Sequence, residues 1–103
     1  MRICIIDPIG LTYDGNTLDK IGLGGSESAV ILVSKELVKL GMEVTVFNNC
    51  NDGSHSKAGI YKRVRYIDNA DAKNHHDIYD VVIVSRTVKP FMDINTMIEE
   101  RLT

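Results

Sequence analysis

The chain has 103 residues, of which 44% are hydrophobic and 25% are charged, and its formal net charge is −2. This length and composition indicate a single soluble globular domain. The negative charge argues against a nucleic-acid-binding surface, and no apolar run reaches the roughly 20 residues of a membrane span. Two cysteines, Cys4 and Cys50, fit a reducing, cytoplasmic setting. We expect Cys4 to be a small buried hydrophobe, with a Cys4–Cys50 disulfide as the alternative.

The first half of the chain predicts a strand, a long loop, a helix and a second strand. The first strand, Arg2 to Asp7, is a continuous β-branched run of the kind found in parallel sheets that are covered on both faces. A loop over 8–24 follows, and loops of that length often carry function. The helix begins near Ser26 and ends at Gly41. Its apolar stripe is predicted from spacings of three and four residues: Val30, Val33, Leu37 and Leu40, widened by Ala29 and Leu32.

The second half predicts shorter elements. Strands are expected over 43–47, 62–67 and 78–85, with a polar loop over 48–59. A short helix is expected within 69–76, and a second amphipathic helix over 94–102. Together these elements predict an α/β fold, a Rossmann-like three-layer domain with a small, mostly parallel sheet of three or four strands.

A glycine pair, Gly24 and Gly25, stands where the long loop meets the first helix. Glycines at a helix start let a bulky anion approach bare backbone, where the first-turn N–H groups are unpaired. The pattern therefore predicts a site for a phosphate-bearing ligand, the alternative being a flexible and well-capped helix start.

Two common nucleotide-binding patterns do not fit. A dinucleotide fingerprint needs a third glycine where this chain has Glu27, and an acid at the end of the second strand, where it has Asn48 and Asn49. The glycines also come about sixteen residues after the first strand instead of directly after it. The lysine of a phosphate-binding P-loop is absent as well.

Other polar residues near the predicted strand ends are weaker candidates. The acids Asp7, Asp14 and Asp19 are expected to be solvated loop residues, although they could also bind a polyol or act as a base. Candidate contacts to a sugar or a phosphate are Tyr13, Asn16, Lys20 and Arg86. The pair His75-His76 is interpreted as a solvated turn, because adjacent histidines point to different faces and no third ligand has a usual spacing.

An ordered set of motifs resembles the N-terminal domain of GT-B glycosyltransferases. The set comprises the first strand, the long loop, Gly24-Gly25-Ser26-Glu27, the helix with Gly41-Met42-Glu43-Val44-Thr45-Val46, and Val81-Val82-Ile83-Val84-Ser85. The chain is most similar to the retaining group that includes sucrose-phosphate synthases and lipopolysaccharide and capsule glycosyltransferases. The resemblance covers roughly residues 1–86, and no single motif in it is diagnostic.

The resemblance implies transfer of a hexosyl group from a nucleotide sugar to a hydroxyl acceptor, with retention, and without a metal or another cofactor. Gly24 and Gly25 would contact the donor diphosphate, and Tyr13, Asn16, Lys20 and Arg86 would line the acceptor side or the cleft. Further partners would be a C-terminal domain or a partner chain and, as an option, a membrane surface.

The sequence also departs from the family pattern. The donor-binding C-terminal domain has no counterpart in residues 1–103, and no histidine follows the fourth predicted strand. We therefore expect a partial, acceptor-side domain that is inactive alone, as a fragment or as one part of a split enzyme. The alternative is a non-catalytic, flavodoxin-like module that binds an anion or a partner protein.

Overall fold

The structure, a computed structural model, describes residues 1–8, 12–17, 25–51, 56–75 and 77–85. Within these ranges the predicted order of elements is confirmed, with boundaries shifted by one to three residues and one strand added. The elements are β1 (Arg2–Ile6), α1 (Gly25–Lys39), β2 (Glu43–Asn48), β3 (Gly59–Tyr61), β4 (Val64–Asp68), a 3-10 helix (Asn69–Asn74) and β5 (Val81–Val84). The helix predicted over 94–102 lies outside the described residues.

The described strands form one sheet in the order β3-β4-β2-β1-β5. Neighbouring strands pair in parallel except β3, which is antiparallel to β4. The prediction of an α/β fold with a mostly parallel sheet is confirmed at this level, but the expected three or four strands are corrected to five, one of them antiparallel. The additional strand, β3, begins at Gly59, the last residue of the predicted polar loop, and ends at Tyr61, just before the strand predicted over 62–67.

The β3–β4 turn explains why this hairpin was missed. Lys62 and Arg63 form the two-residue turn, and both have positive φ angles, 50° and 66°. Tight hairpin turns of this kind usually contain Asn-Gly or Asp-Gly, because those residues tolerate positive φ best. Since neither residue gives that signal, the sequence pattern does not mark the hairpin.

Helix α1 buries a stripe that matches the predicted one only in part, since Val30 is buried and Leu37 is half-buried as expected. Its buried positions are Glu27, Val30, Ile31, Ser34 and Val38, whereas the predicted Val33 and Leu40 are 48% and 72% exposed. Apolar residues lie on several sides of this helix, so spacing alone did not fix which side faces the sheet. Contact with the sheet selects the Val30–Ile31 side and leaves Ala29, Leu32 and Val33 exposed.

The two faces of the sheet carry separate cores. On the α1 face, Ile3 and Ile5 of β1 pack with the buried apolar residues of α1 and with Tyr13 and Tyr66. On the opposite face, Cys4 and Ile6 pack with Phe47, Ile67, Ala72 and Tyr79. Burial of Cys4 is therefore confirmed, and both cysteines are free thiols, so the alternative disulfide is not formed.

The predicted stop of α1 is confirmed at Gly41, where φ is +90°. An L side chain rarely adopts that conformation, and the Gly41 N–H donates to the carbonyl of Val38 at 2.9 Å. The chain then enters β2 within two residues, so α1 ends at the edge where β2 begins. Because β1 and β2 are parallel, the start of α1 lies at the opposite edge, where β1 ends.

Candidate functional site

Polar residues converge at one edge of the sheet, referred to below as the carboxyl edge. The parallel strands β1, β2, β4 and β5 all end there, and Asp7, Asn49, Asn69 and Ser85 follow or closely follow their ends. Helix α1 begins at this edge because it connects the end of β1 to the start of β2. The predicted meeting of strand ends and helix start is thus present in the structure.

Asp7 and Tyr13 form a buried pair at the carboxyl edge. The Tyr13 hydroxyl donates to Asp7 Oδ2 at 2.7 Å, and the two residues are 0% and 1% exposed, respectively. The expectation of a solvated Asp7 is therefore wrong. A carboxylate is stable in such a place only when it is hydrogen-bonded, and the Tyr13 hydroxyl supplies one of these bonds. Tyr13 was expected to contact a ligand in the cleft, but it is buried and its hydroxyl donates to Asp7.

The backbone of Tyr13 is fixed to the end of β2. Its N–H donates to the carbonyl of Asn49 at 3.0 Å, and its carbonyl accepts from Asn48 Nδ2 at 2.8 Å. Asn69 spans the same strand ends, since its Nδ2 lies 3.1 Å from the carbonyl of Asp7 and 3.3 Å from Asn49 Oδ1. The asparagines that break the dinucleotide pattern thus tie the strand ends together.

Asp14 is the second acid that the sequence expectation placed in solvent, and it is only 2% exposed. Its Oδ1 accepts from the N–H of Asn16 at 2.7 Å, and its Oδ2 accepts from the N–H of Lys57 at 3.1 Å. Asp14 therefore joins the first loop to the segment before β3. Asn16, a predicted sugar contact, is half-buried next to it.

Gly15 lies against the tyrosines of the β3–β4 hairpin. A Cβ atom placed on Gly15 would meet Tyr61 Cβ at 2.5 Å and Tyr66 Cε1 at 2.9 Å. The rings form a chain of edge-to-face contacts, with centroids 6.4 Å apart for Tyr13–Tyr66 and 5.9 Å for Tyr61–Tyr66. Residues 13–17 are consequently held in the fold by both polar and aromatic contacts.

Cys50 and Asp68 complete this edge beside β2 and β4. Asp68 Oδ1 accepts from the N–H of Cys50 at 3.0 Å, and its Oδ2 accepts from the N–H of Ala70 at 3.1 Å. Burial, followed by the charges of Asp68 and Asp14, raises the pKa of the Cys50 thiol to about 12. A thiol with that pKa is protonated at neutral pH, so it is not an activated nucleophile.

Gly25 is the described member of the predicted phosphate-binding pair. It is the first residue of α1 and is exposed, and among the described residues no neighbouring atom lies within 4 Å of the position a Cβ would take. Glu27, in the first helical turn, is 3% exposed and so is turned away from solvent. The other proposed contacts, Gly24, Lys20 and Arg86, lie outside the described residues, as does the third predicted loop acid, Asp19.

No group of three or more His, Cys, Asp or Glu residues in the described part of the chain is arranged to hold a metal ion. His75 is half-buried, and its Nδ1 lies 3.3 Å from an Arg65 guanidinium nitrogen, while His76 is outside the described residues. Among the described helices, none is both long and apolar enough to cross a membrane.

Comparisons with protein-family models, with curated proteins and with solved structures found no match to this chain. Function is therefore argued from geometry. The carboxyl edge combines an open helix start at Gly25 with a buried polar floor around Asp7 and Tyr13. In other proteins, exposed helix starts of this kind commonly bind anions.

Proposed function

We propose that this chain is the acceptor-side, N-terminal domain of a glycosyltransferase with a Rossmann-like sheet. In this proposal the enzyme transfers a hexosyl group from a nucleotide sugar to a hydroxyl acceptor, in the cytoplasm. The start of α1 faces the donor diphosphate, and a second, donor-binding domain forms the other wall of the cleft. That domain belongs to the same polypeptide or to a partner chain, and the domain described here is inactive alone.

The observation that carries the proposal is the order of the strands. The four parallel strands lie side by side as β4-β2-β1-β5, which is the order 3-2-1-4 when they are numbered along the chain. The chain therefore adds β2 and β4 on one side of β1 and then crosses to add β5 on the other side. In doubly wound sheets with this order, ligands bind in the crevice beyond the strand ends at the switch point. Here that crevice lies between β1 and β5, at the edge where α1 begins.

Gly25 supports a phosphate at this place. The helix has fifteen residues, and its unpaired N–H groups and macrodipole favour an anion near its first turn. Because no described part of the chain packs against the Cβ position of Gly25, packing of these residues does not require a glycine there, and the bare backbone leaves room for a ligand. The backbone N–H groups at a helix start also stabilise the negative charge that develops on a leaving nucleoside diphosphate.

The flavodoxin-like alternative fits the sheet less well. Flavodoxin-like sheets have the order 2-1-3-4-5, which places the third parallel strand beside the first. In this chain the third parallel strand, β4, lies beside β2, and β1 lies between β2 and β5. The strand order therefore favours the glycosyltransferase proposal over that alternative.

The test is a Gly25→Val substitution read out by ligand binding and by folding. We expect wild-type chain to bind inorganic pyrophosphate weakly, with NMR shift changes centred on the Gly25 amide. The valine side chain would project into the space left for the ligand, so binding should fall at least tenfold while the melting temperature changes little. Gly25→Ala, with a smaller side chain, is the matched control and should weaken binding less.

Two outcomes would count against the proposal. Equal pyrophosphate affinity in Gly25→Val would remove the argument that phosphate approaches the backbone there. Rapid sugar transfer by this chain alone would contradict its assignment as one wall of a two-domain site. In an enzyme reconstituted with a donor-binding domain, Gly25→Val should abolish transfer.

A further inference from the structure

A phosphate site at this edge faces an electrostatic difficulty that the proposed function leaves open. Asp7 lies at the end of β1, on the same edge as the start of α1, and its carboxylate would repel an anionic ligand. The side chain is nevertheless only 1% exposed. Something in the fold must hold this carboxylate inward.

Tyr13 is the residue whose contacts meet that requirement. Its hydroxyl donates to Asp7 Oδ2 at 2.7 Å inside the protein. Its backbone is held on both sides, by the carbonyl of Asn49 and by the side-chain amide of Asn48, so the hydroxyl is delivered from a fixed position. The ring is held as well, because it lies edge-to-face on Tyr66 within the core of the α1 face.

We propose that Tyr13 is a positioning residue that holds the Asp7 carboxylate inward and hydrogen-bonded, so that the carboxyl edge accepts an anion. This inference rests on the proposed function, since it assumes a phosphate-bearing ligand at the start of α1. It assigns Tyr13 a role different from direct contact with an acceptor. Asp7 acts here through its charge, and Tyr13 acts through Asp7.

The tyrosine is suited to this role over a wide pH range. Burial, followed by the nearby charge of Asp7, raises the pKa of Tyr13 well above its ordinary value. The hydroxyl therefore keeps its proton, and with it the ability to donate, at every pH at which the protein would work.

The experiment compares pyrophosphate binding in four versions of the 103-residue chain: wild type, Tyr13→Phe, Asp7→Asn and the double variant. Tyr13→Phe keeps the ring but removes the donor, and the released carboxylate should weaken binding about fivefold, the size of one added charge repulsion near the surface. Asp7→Asn in that background removes the charge and should restore affinity to within twofold of wild type. The loss in Tyr13→Phe should shrink as salt is raised, because exposed charges are screened.

Tyr66→Phe is the matched control, since it removes a hydroxyl from the buried ring that packs edge-to-face on Tyr13, and it should leave affinity unchanged. Should Tyr13→Phe fail to fold, Asp7→Glu offers a second route: its longer side chain keeps the charge but displaces it from the Tyr13 hydroxyl, so binding should also weaken. Unchanged affinity in both Tyr13→Phe and Asp7→Glu would overturn the inference, as would a loss that Asp7→Asn does not rescue. Absence of pyrophosphate binding by wild type would instead overturn the proposed function.

Discussion

The two edges of the sheet hold their polar side chains in opposite ways. At the carboxyl edge, Asp7 and Asp14 are almost fully buried, and hydrogen bonds to fixed donors hold them. At the edge where the strands begin, Arg2 and Glu43 form an ion pair at 3.2 Å with side chains 45% and 79% exposed. Burial makes each polar contact at the carboxyl edge costly to break, whereas solvent screens those at the other edge.

The difference indicates what each edge is built to do. Arg2 mainly fastens the chain that leads into β5, since its Nη1 donates to the carbonyl of Ile78 and its guanidinium lies 5.3 Å from the Tyr79 ring centroid. Exposed contacts suffice for that task. The carboxyl edge instead buries two acids at the edge where α1 begins. Burying acids lowers stability, and a binding function would explain why the fold keeps this arrangement.

The largest effect is expected from crowding the carboxyl edge at Gly15. Gly15→Ala places a Cβ 2.5 Å from Tyr61 Cβ and 2.9 Å from a Tyr66 ring carbon, so residues 13–17 or the hairpin must move. We expect the free energy of unfolding to fall by about 2–3 kcal/mol, as for overpacked core sites. Urea unfolding followed by circular dichroism measures this change.

Gly25→Ala provides the comparison at the same edge. None of the described residues packs against its Cβ position, and alanine favours helix more than glycine does, so stability should stay equal or rise by up to about 1 kcal/mol. If both alanine variants had the same stability as wild type, close packing of residues 13–17 against the hairpin would be wrong.

A smaller effect should appear as a pH dependence of stability. The folded pKa of Cys50 is about 12, raised from 9.0 mainly by burial. The unfolded chain therefore ionises this thiol first, so the contribution of Cys50 is fully present below pH 9 and is lost as pH rises through the folded value. At pH 10 the loss should be on the order of 1 kcal/mol relative to pH 7.

Cys50→Ala identifies the origin of that loss. The variant will be less stable overall, but its unfolding free energy should fall less between pH 7 and pH 10 than that of wild type. Because Tyr13 and Tyr66 also have raised pKa values, some loss above pH 10 should remain in both proteins. If the unfolding free energies of the two proteins changed with pH in parallel, Cys50 would be more accessible to solvent than its burial in the structure indicates.

The sequence predicted most of the fold because its strongest elements are locally encoded. The β-branched runs of β1, β2 and β5 and the glycine stop at Gly41 were confirmed within the described residues. The buried side of α1 was not predictable from spacing, since apolar residues such as Leu32 and Val33 lie outside the buried stripe. Strand β3 was missed because its turn contains two basic residues instead of a glycine.

The candidate site was predicted less well than the fold. Its location at the strand ends and at the start of α1 follows from general rules for parallel sheets. The burial of Asp7 and Asp14 does not, because each depends on a donor that no local pattern marks: the Tyr13 hydroxyl six residues away for one and the Lys57 N–H, far along the chain, for the other. No local pattern encodes such pairings, so the acids were expected in solvent.

The smallest effect is expected at the exposed edge. Glu43→Gln removes one charge from the pair with Arg2, and the free energy of unfolding should change by less than about 0.5 kcal/mol, with no difference left in 1 M salt. Arg2→Ala should cost more, because it also removes the bond to the Ile78 carbonyl and the contact with Tyr79. A loss in Glu43→Gln as large as that in Gly15→Ala would contradict the comparison of edges. In that case, the solvent exposure of a polar contact would not indicate how much the stability of the fold depends on it.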